Sequence, residues 1–502
     1  MNTGPKPPTT AALALLACLA IGPALAATAG DGRTLYNEGV PGKAAACATC
    51  HGPDAEGTAN GTFPRIAGLP AAYVVRQLEA FKSGKRANAI MAPIASALDT
   101  DQMQAMGAYL SDLKPAHPAP PQADEATLRL GQTLVTAGRP DKNVMACIDC
   151  HGPRLMGGGP DIPPLSGQWQ SYLAAQLQAF KSGGRPGGPQ DLMSTVARGL
   201  SDADIQAAAT YIASLREGDE PAIPRDPKST WKATPQQPDS FTPPPESAML
   251  TTGDYGKALL LGEQIFDNTP RYAGKYVGNA QSCRNCHLQR GRDAHSAPLW
   301  AAVPQYPKYR GKNKRVNDLT MRIQGCFTYS ENGTPPPADS DEMVALITYA
   351  HWMASGLPMG IKPKAAGYPK IPEPKLEPSK ARGAKLYAEH CAMCHNDDGS
   401  GRVVAGDRVF PALWGKDSFN WGAGMHRVNT AAYFIKANMP FGIGGSLTDQ
   451  QAWDVARYIT SHSRPQDPRY KGDAEQTYKQ FHANHKYGSY LEVQQAESGG
   501  GD

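Results

Sequence analysis

The pentad Cys-x-x-Cys-His occurs four times in this chain: Cys47-Ala-Thr-Cys50-His51, Cys147-Ile-Asp-Cys150-His151, Cys283-Arg-Asn-Cys286-His287 and Cys391-Ala-Met-Cys394-His395. The flanks repeat with the pentads. Before each lies a stretch in which a glycine is followed three and four positions later by apolar residues: Gly32/Leu35/Tyr36, Gly131/Leu134/Val135, Gly262/Ile265/Phe266 and Gly383/Leu386/Tyr387. This spacing places the glycine and its apolar neighbours on one face of a helix. Well after each pentad comes an amphipathic run with a tyrosine, Tyr109, Tyr211, Tyr349 or Tyr458, preceded by Asp, Ser or Thr residues suited to an N-cap. Self-similarity of this kind marks an array of like units, and 502 residues at about 150 per domain leave room for three or four. The expected fold is all-α, with four small class I cytochrome c-like units in two pairs.

Proline marks the seams. The segment 114–124 separates the first two units, eight prolines between Pro221 and Pro245 divide the chain in two, and a further proline-rich stretch, 357–380, separates the last pair. Such density favours extended, semi-rigid chain without a packed core. The expected domains are 27–114, 125–218, 246–357 and 379–469, with a linker at 219–245 and a polar, Gly-ending tail at 470–502 that reads as largely disordered. Residues 1–26 have Lys6, an apolar run and Ala24-Leu25-Ala26, the pattern of a secretory signal peptide cleaved near Ala26. Leu15-Leu16-Ala17-Cys18 could alternatively serve as a lipobox. No later stretch is apolar enough to span a bilayer, so the expected location is the periplasm.

The pentad is the attachment signal for c-type haem: both thiols add to the haem vinyl groups, and the histidine becomes an axial ligand. Four covalently attached haems c are expected, on Cys47/Cys50, Cys147/Cys150, Cys283/Cys286 and Cys391/Cys394, with His51, His151, His287 and His395 on the irons. The repeat also points to the second ligand. Met91 stands 40 residues after His51, Met193 stands 42 after His151, and Met439 stands 44 after His395, each 18 or 19 before its unit's tyrosine. Met425 competes for the slot in unit four with a poorer offset.

Unit three breaks the pattern. Its slot, 39 residues after His287, holds Cys326, the one cysteine outside the pentads and the leader. Cys326 is therefore expected to ligate iron as a thiolate, with a buried inert thiol as the alternative. Methionine ligation raises a haem's potential, whereas an anionic thiolate favours the ferric state. Between Gln281 and Gly325 there are nine basic and two acidic side chains, a local +7 in a chain whose net charge is +4. A thiolate within positive charge suits the binding and oxidation of a soft, sulfur-containing anion. No nucleic-acid motif accompanies it. His117, His295, His351, His390, His426, His462, His482 and His485 have no place in the repeat and read as surface or structural residues.

The segment "YRGKNKRVNDLTMRIQGCFTYSENG", followed by "DSDEMVALITYAHWMASGLP", resembles the catalytic haem domain of the thiosulfate dehydrogenases, distant relatives of the haem-thiolate cytochromes of the Sox sulfur-oxidising system. The likeness runs from about Tyr255 to Arg469, and the N-terminal pair resembles the tandem dihaem cytochrome that accepts electrons from that enzyme. The resemblance implies coupling of two thiosulfates into tetrathionate at a His287/Cys326 haem, with electrons passing through the other haems to a periplasmic redox protein or cytochrome. It places Arg322 and Ser330 beside the substrate. A second substrate arginine is expected where this chain has Lys312, with Arg310 and Arg315 as local substitutes. In some relatives a lysine precedes the methionine of the second haem; here Asn438 stands there and the nearest lysine is Lys436. Other readings are a tetrathionate reductase, a Sox-type sulfur-conjugating cytochrome, and a cytochrome that only relays electrons.

Overall fold

In every unit the first helix crosses the last over a glycine. The pairs are Ala29–Glu38 with Thr100–Asp112, Glu125–Thr136 with Asp202–Ser214, Gly253–Asp267 with Asp341–Met353, and Lys380–His390 with Asp449–Ile459. A Cβ on Gly32, Gly131 or Gly383 would lie 2.1 Å from the carbonyl oxygen of Ala105, Ala207 or Asp454, and one on Gly262 would lie 2.2 Å from that of Ala345. No other residue permits so close an approach of two backbones. The last helices start at Asp99, Ser201, Ser340 and Thr448, whose side chains each accept an N–H from the first turn. The computed structural model describes residues 29–58, 60–114, 118–142, 144–226, 229–311 and 313–499. The leader, its Cys18 and Lys312 lie outside the described residues.

Each unit has its own apolar core, built around Tyr36 and Met106 in unit one, Leu134 and Ile205 in unit two, Phe266 and Tyr349 in unit three, and Tyr387 and Trp453 in unit four. Among the described residues the only strands form two short antiparallel hairpins, Lys308–Arg310 with Arg315–Asn317 and Arg402–Val404 with Asp407–Phe410. No described helix is long and apolar enough to cross a membrane.

Two expectations about the connecting chain need correction. The linker 219–245 is extended but docked. Phe241 is buried against Trp300, with ring centroids 4.9 Å apart, Arg225 pairs with the buried Glu263, and Gln236 N–H donates to the Gly356 carbonyl. Proline removes internal hydrogen bonds but leaves apolar side chains free to cover a neighbouring core. The tail is ordered rather than disordered. It forms a turn at Ala474–Thr477, a wider turn at Tyr478–His482 and a helix at Tyr490–Gly499. Tyr490 and Val493 bury against Trp421 of unit four, so a few apolar residues in a polar composition are enough to anchor it.

Unit two is the junction of the molecule. Arg65 of unit one donates to the Ser166 carbonyl at 2.7 Å, and Trp169 Nε1 donates to Glu56 of unit one at 2.8 Å. On its other side, Arg154 pairs with Asp407 of unit four at 2.8 Å, while Asp149, inside the second pentad, meets Arg284, inside the third, at 3.7 Å.

Candidate active site

All four pentad histidines are held alike. Nδ1 donates to a backbone carbonyl: His51 to Pro64 at 2.9 Å, His151 to Pro163 at 2.8 Å, His287 to Ala297 at 2.7 Å and His395 to Pro411 at 2.9 Å. A carbonyl only accepts, so each Nε2 keeps its lone pair for a metal, and the ring orientation is set. Burial keeps the rings neutral; it lowers His287 to about 4, opposed by the Ala297 carbonyl and reinforced by Arg322. No disulfide joins any of the eight pentad cysteines. This donor set fits covalently bound haem c. The carbonyl partners escaped the sequence reading, although their segments recur as Pro64-Arg-Ile, Pro163-Pro-Leu, Pro411-Ala-Leu and Ala297-Pro-Leu.

Cys326 sits inside the helix Leu319–Tyr329, whose N-cap Asp318 accepts the Met321 N–H at 2.7 Å. Leu319 and Phe327 are buried in the unit-three core and fix the rotation of the helix. The spacing of four then puts Arg322, Cys326 and Ser330 on one face. Arg322 Nη1 donates to Cys326 Sγ at 2.9 Å. The Cys326 sulfur raises the Arg322 guanidinium above its ordinary range, outweighing burial. Burial first, then Glu331, then Cys326 push Cys286 up to about 12, and Cys326 also acts on Cys283. The lone cysteine is thus brought beside the third pentad.

The local setting of the slot differs among the units even though the offsets from the pentad histidines are similar. Met91 and Met193 stand at the starts of the short helices Met91–Ser96 and Leu192–Arg198, Met439 ends the helix Val428–Asn438, and Cys326 is mid-helix. Met91 packs with Cys47 in one apolar core and Met439 with Cys391 in another. Lys436 is held away from ligation by the Gly445 and Leu447 carbonyls, at 2.9 and 2.5 Å. Asn438 donates to the carbonyls of His295 and Phe434, at 3.2 and 3.1 Å.

The basic segment divides in two. Arg284 and Arg290 pair with Asp267 at 3.0 and 3.4 Å, and Arg292 with Glu246 at 3.2 Å, so these three cations are structural. A local charge count cannot see acids supplied by distant chain. The hairpin keeps Lys308, Arg310 and Arg315, and Arg310 donates to the Tyr306 hydroxyl at 2.8 Å. Tyr306 in turn acts on Arg322, which links the hairpin to the Cys326 helix. Arg427 of unit four joins the same field: burial, then Arg469, then Arg310, lower its guanidinium. The sequence reading missed Arg427, since it lies about a hundred residues from Cys326 with no motif around it.

The second, third and fourth pentads converge. Burial, then Cys394 of the fourth pentad, then Asp149 raise Cys150 of the second. The third and fourth units interlock through Gln281, which donates to the Ala412 carbonyl at 2.8 Å, and Asn279, which bridges the Ser330 and Ser418 carbonyls at 2.9 and 3.0 Å.

Comparison with known proteins matches these parts one by one. A family described as "SoxA/TsdA, cytochrome c domain" matches residues 269–359, "Cytochrome c" matches 29–114 and 129–216, and "Cytochrome C oxidase, cbb3-type, subunit III" matches 378–459. A thiosulfate dehydrogenase of Stutzerimonas stutzeri is 52% identical over 256 residues, 51% of this chain and 83% of that protein. The thiosulfate dehydrogenase electron acceptor of the same organism is 46% identical over 194 residues, 38% of this chain and 88% of that protein. The solved structure of thiosulfate dehydrogenase TsdBA from Marichromatium purpuratum superposes with a TM-score of 0.81 at 43% identity, covering 91% of this chain and 95% of that one. With a Cys-x-x-Cys-His pentad in every unit and a lone cysteine paired to an arginine in the third, this chain belongs to the thiosulfate dehydrogenases, fused at its N-terminus to a tandem cytochrome c of the kind that accepts their electrons.

Proposed function

We propose that the chain joins two thiosulfate ions into tetrathionate in the periplasm, at a haem c ligated by His287 and Cys326, with three further haems c on His51/Met91, His151/Met193 and His395/Met439. The observation that carries this reading is the 2.9 Å contact from Arg322 to Cys326 Sγ, which joins the lone cysteine to a cation beside the third pentad. When bound, haem c supplies a one-electron centre, and the reaction 2 S₂O₃²⁻ → S₄O₆²⁻ + 2 e⁻ needs two such equivalents. One sulfur–sulfur bond forms between the terminal sulfurs, no bond breaks and no proton moves.

The protein's own task is to bring two dianions together. Their mutual repulsion is the main obstacle, and cations within a few ångströms offset it. Arg322 and Ser330 occupy one helix face with Cys326 between them, and Arg310 is tied to Arg322 through Tyr306. Guanidinium and hydroxyl donors suit the sulfonate oxygens and leave the terminal sulfur as the reacting atom. Arg427 contributes from unit four, and Lys312 and Arg315 belong to the same basic hairpin in sequence. The His/Met pairs in the other units favour the oxidative direction, because such ligation gives high-potential acceptors. An outside cytochrome or small redox protein would take the electrons onward.

Thiosulfate with an artificial one-electron acceptor should yield one tetrathionate for every two thiosulfates consumed. Absence of tetrathionate, with rapid oxidation of a reduced dye by added tetrathionate, would instead establish the reductase. Arg427→Gln is expected to raise KM for thiosulfate about tenfold, or ~1.4 kcal/mol, with kcat little changed. The wild-type KM should itself rise with ionic strength as the positive field is screened. Steady-state assays over a salt series check both effects, and a KM unmoved by substitution and by salt would remove Arg427 from the substrate field.

A further inference from the structure

Three histidines that serve no haem unit meet at the seam between unit four and the C-terminal tail. His426 lies just ahead of the helix Val428–Asn438, and His482 and His485 lie in the tail. His426 Nε2 is 3.0 Å from His485 Nδ1 and 3.2 Å from His482 Nδ1, and one ring nitrogen from each residue falls within 4.8 Å of the others. His426 and His482 are buried, and His485 is partly so. The sequence reading treated all three as surface or structural residues, because 56 and 59 residues separate the tail histidines from His426.

The outer partners decide the protonation. His426 Nδ1 faces the Ala423 carbonyl, which only accepts, so the proton is on Nδ1 and Nε2 presents a lone pair. His482 Nε2 faces Asp467 Oδ2 at 3.0 Å, so its proton is on Nε2 and Nδ1 presents a lone pair. Two lone pairs therefore oppose each other at 3.2 Å, with a third ring nitrogen 3.0 Å from one of them. Neutral imidazoles arranged this way repel unless a cation lies between them. A proton held between the rings is one such cation. A metal ion fits better. Tetrahedral bonds of about 2.0–2.1 Å to imidazole nitrogens separate those nitrogens by roughly 3.3 Å. An aspartate and a backbone carbonyl behind metal-bound histidines are the usual outer partners, which fix the tautomer and raise ligand basicity. Asp467 is placed for this, with Oδ2 3.0 Å from His482 Nε2.

We propose that His426 Nε2, His482 Nδ1 and His485 Nδ1 bind one divalent transition-metal ion of the zinc type, with Asp467 orienting His482 and Ala423 orienting His426, and that the ion clasps the tail to unit four. The donor set of three neutral imidazoles suits zinc and leaves a fourth position for water. The clasp reinforces the packing of Tyr490 on Trp421, with centroids 5.4 Å apart, and of His482 on Tyr490 at 4.3 Å. It also reaches the catalytic helix, because Arg469, paired with Asp467 at 2.6 Å, lies over the Tyr329 ring.

The test uses the full-length holoprotein, stripped with a chelator that leaves haem in place and then titrated with Zn²⁺ by calorimetry. The expected result is one zinc per chain, with a dissociation constant below about 1 μM and a higher melting temperature. Asp467→Asn should weaken binding by about 10- to 100-fold, and His426→Gln with His485→Gln should abolish it while the haem spectrum stays intact. Wild-type protein that takes up no zinc, or binds it no more tightly than the double variant, would overturn the proposal. If the double variant fails to assemble, wild-type stoichiometry together with the Asp467→Asn affinity decides the matter in the same way.

Discussion

Cys326→Met is expected to leave haem attachment intact while lowering tetrathionate formation by at least about 10³-fold in kcat/KM, ~4 kcal/mol of transition-state stabilisation. The thioether cysteines and His287 are untouched, so pyridine haemochrome analysis should return the wild-type haem content. Two effects combine at the site. Methionine offers a neutral thioether in place of the cysteine sulfur, so under the proposed ligation the third centre would take on the His/Met set proposed for the others, with a raised potential. It also removes the cysteine sulfur that accepts the Arg322 N–H at 2.9 Å. Steady-state assays and redox titration check both parts. Turnover at the wild-type rate would show that the sulfur of Cys326 takes no part, and the chain would then be a relay of electrons with an incidental basic patch.

Gly262→Val should severely damage the fold of the catalytic unit. A Cβ there would lie 2.2 Å from the Ala345 carbonyl oxygen and 2.8 Å from Tyr349 Cβ, and neither is the end of a flexible side chain. The helices Gly253–Asp267 and Asp341–Met353 would have to separate along their whole contact, which also carries Phe266 and the buried Tyr349. The expected cost is about 3 kcal/mol or more, since overpacking against backbone cannot relax by a rotamer change. The control lies in the same unit: at Gly274 a Cβ meets nothing within 4 Å, so Gly274→Ala should melt like wild type. Thermal unfolding followed at the Soret band separates the two variants. Equal melting temperatures for Gly262→Val and wild type would mean that the close crossing is not needed for stability.

The longest proline-rich stretch divides the sequence into halves, yet the contacts do not follow that division. Unit two meets unit three through Asp149 and Arg284 and unit four through Arg154 and Asp407. The second pentad therefore lies next to both C-terminal pentads.

Much of the site was legible because its chemistry is local. Five consecutive residues name a haem attachment, a glycine followed by apolar residues names a helix crossing, and a similar offset from the pentad histidine points to Cys326. These features depend on spacing along one helix or one loop, and spacing survives in a one-dimensional string. What remained hidden depends on residues far apart in the chain. Arg284, Arg290 and Arg292 look like part of a substrate field until Asp267 and Glu246 are seen to neutralise them. Arg427 looks unremarkable until it is found facing Arg310. The tail looks unstructured until Trp421 receives Tyr490 and His426 receives His482 and His485. Covalent attachment and helical periodicity are thus written in order along the chain. The balance of charge and the meeting of imidazoles are set by distance in space, which packing alone creates.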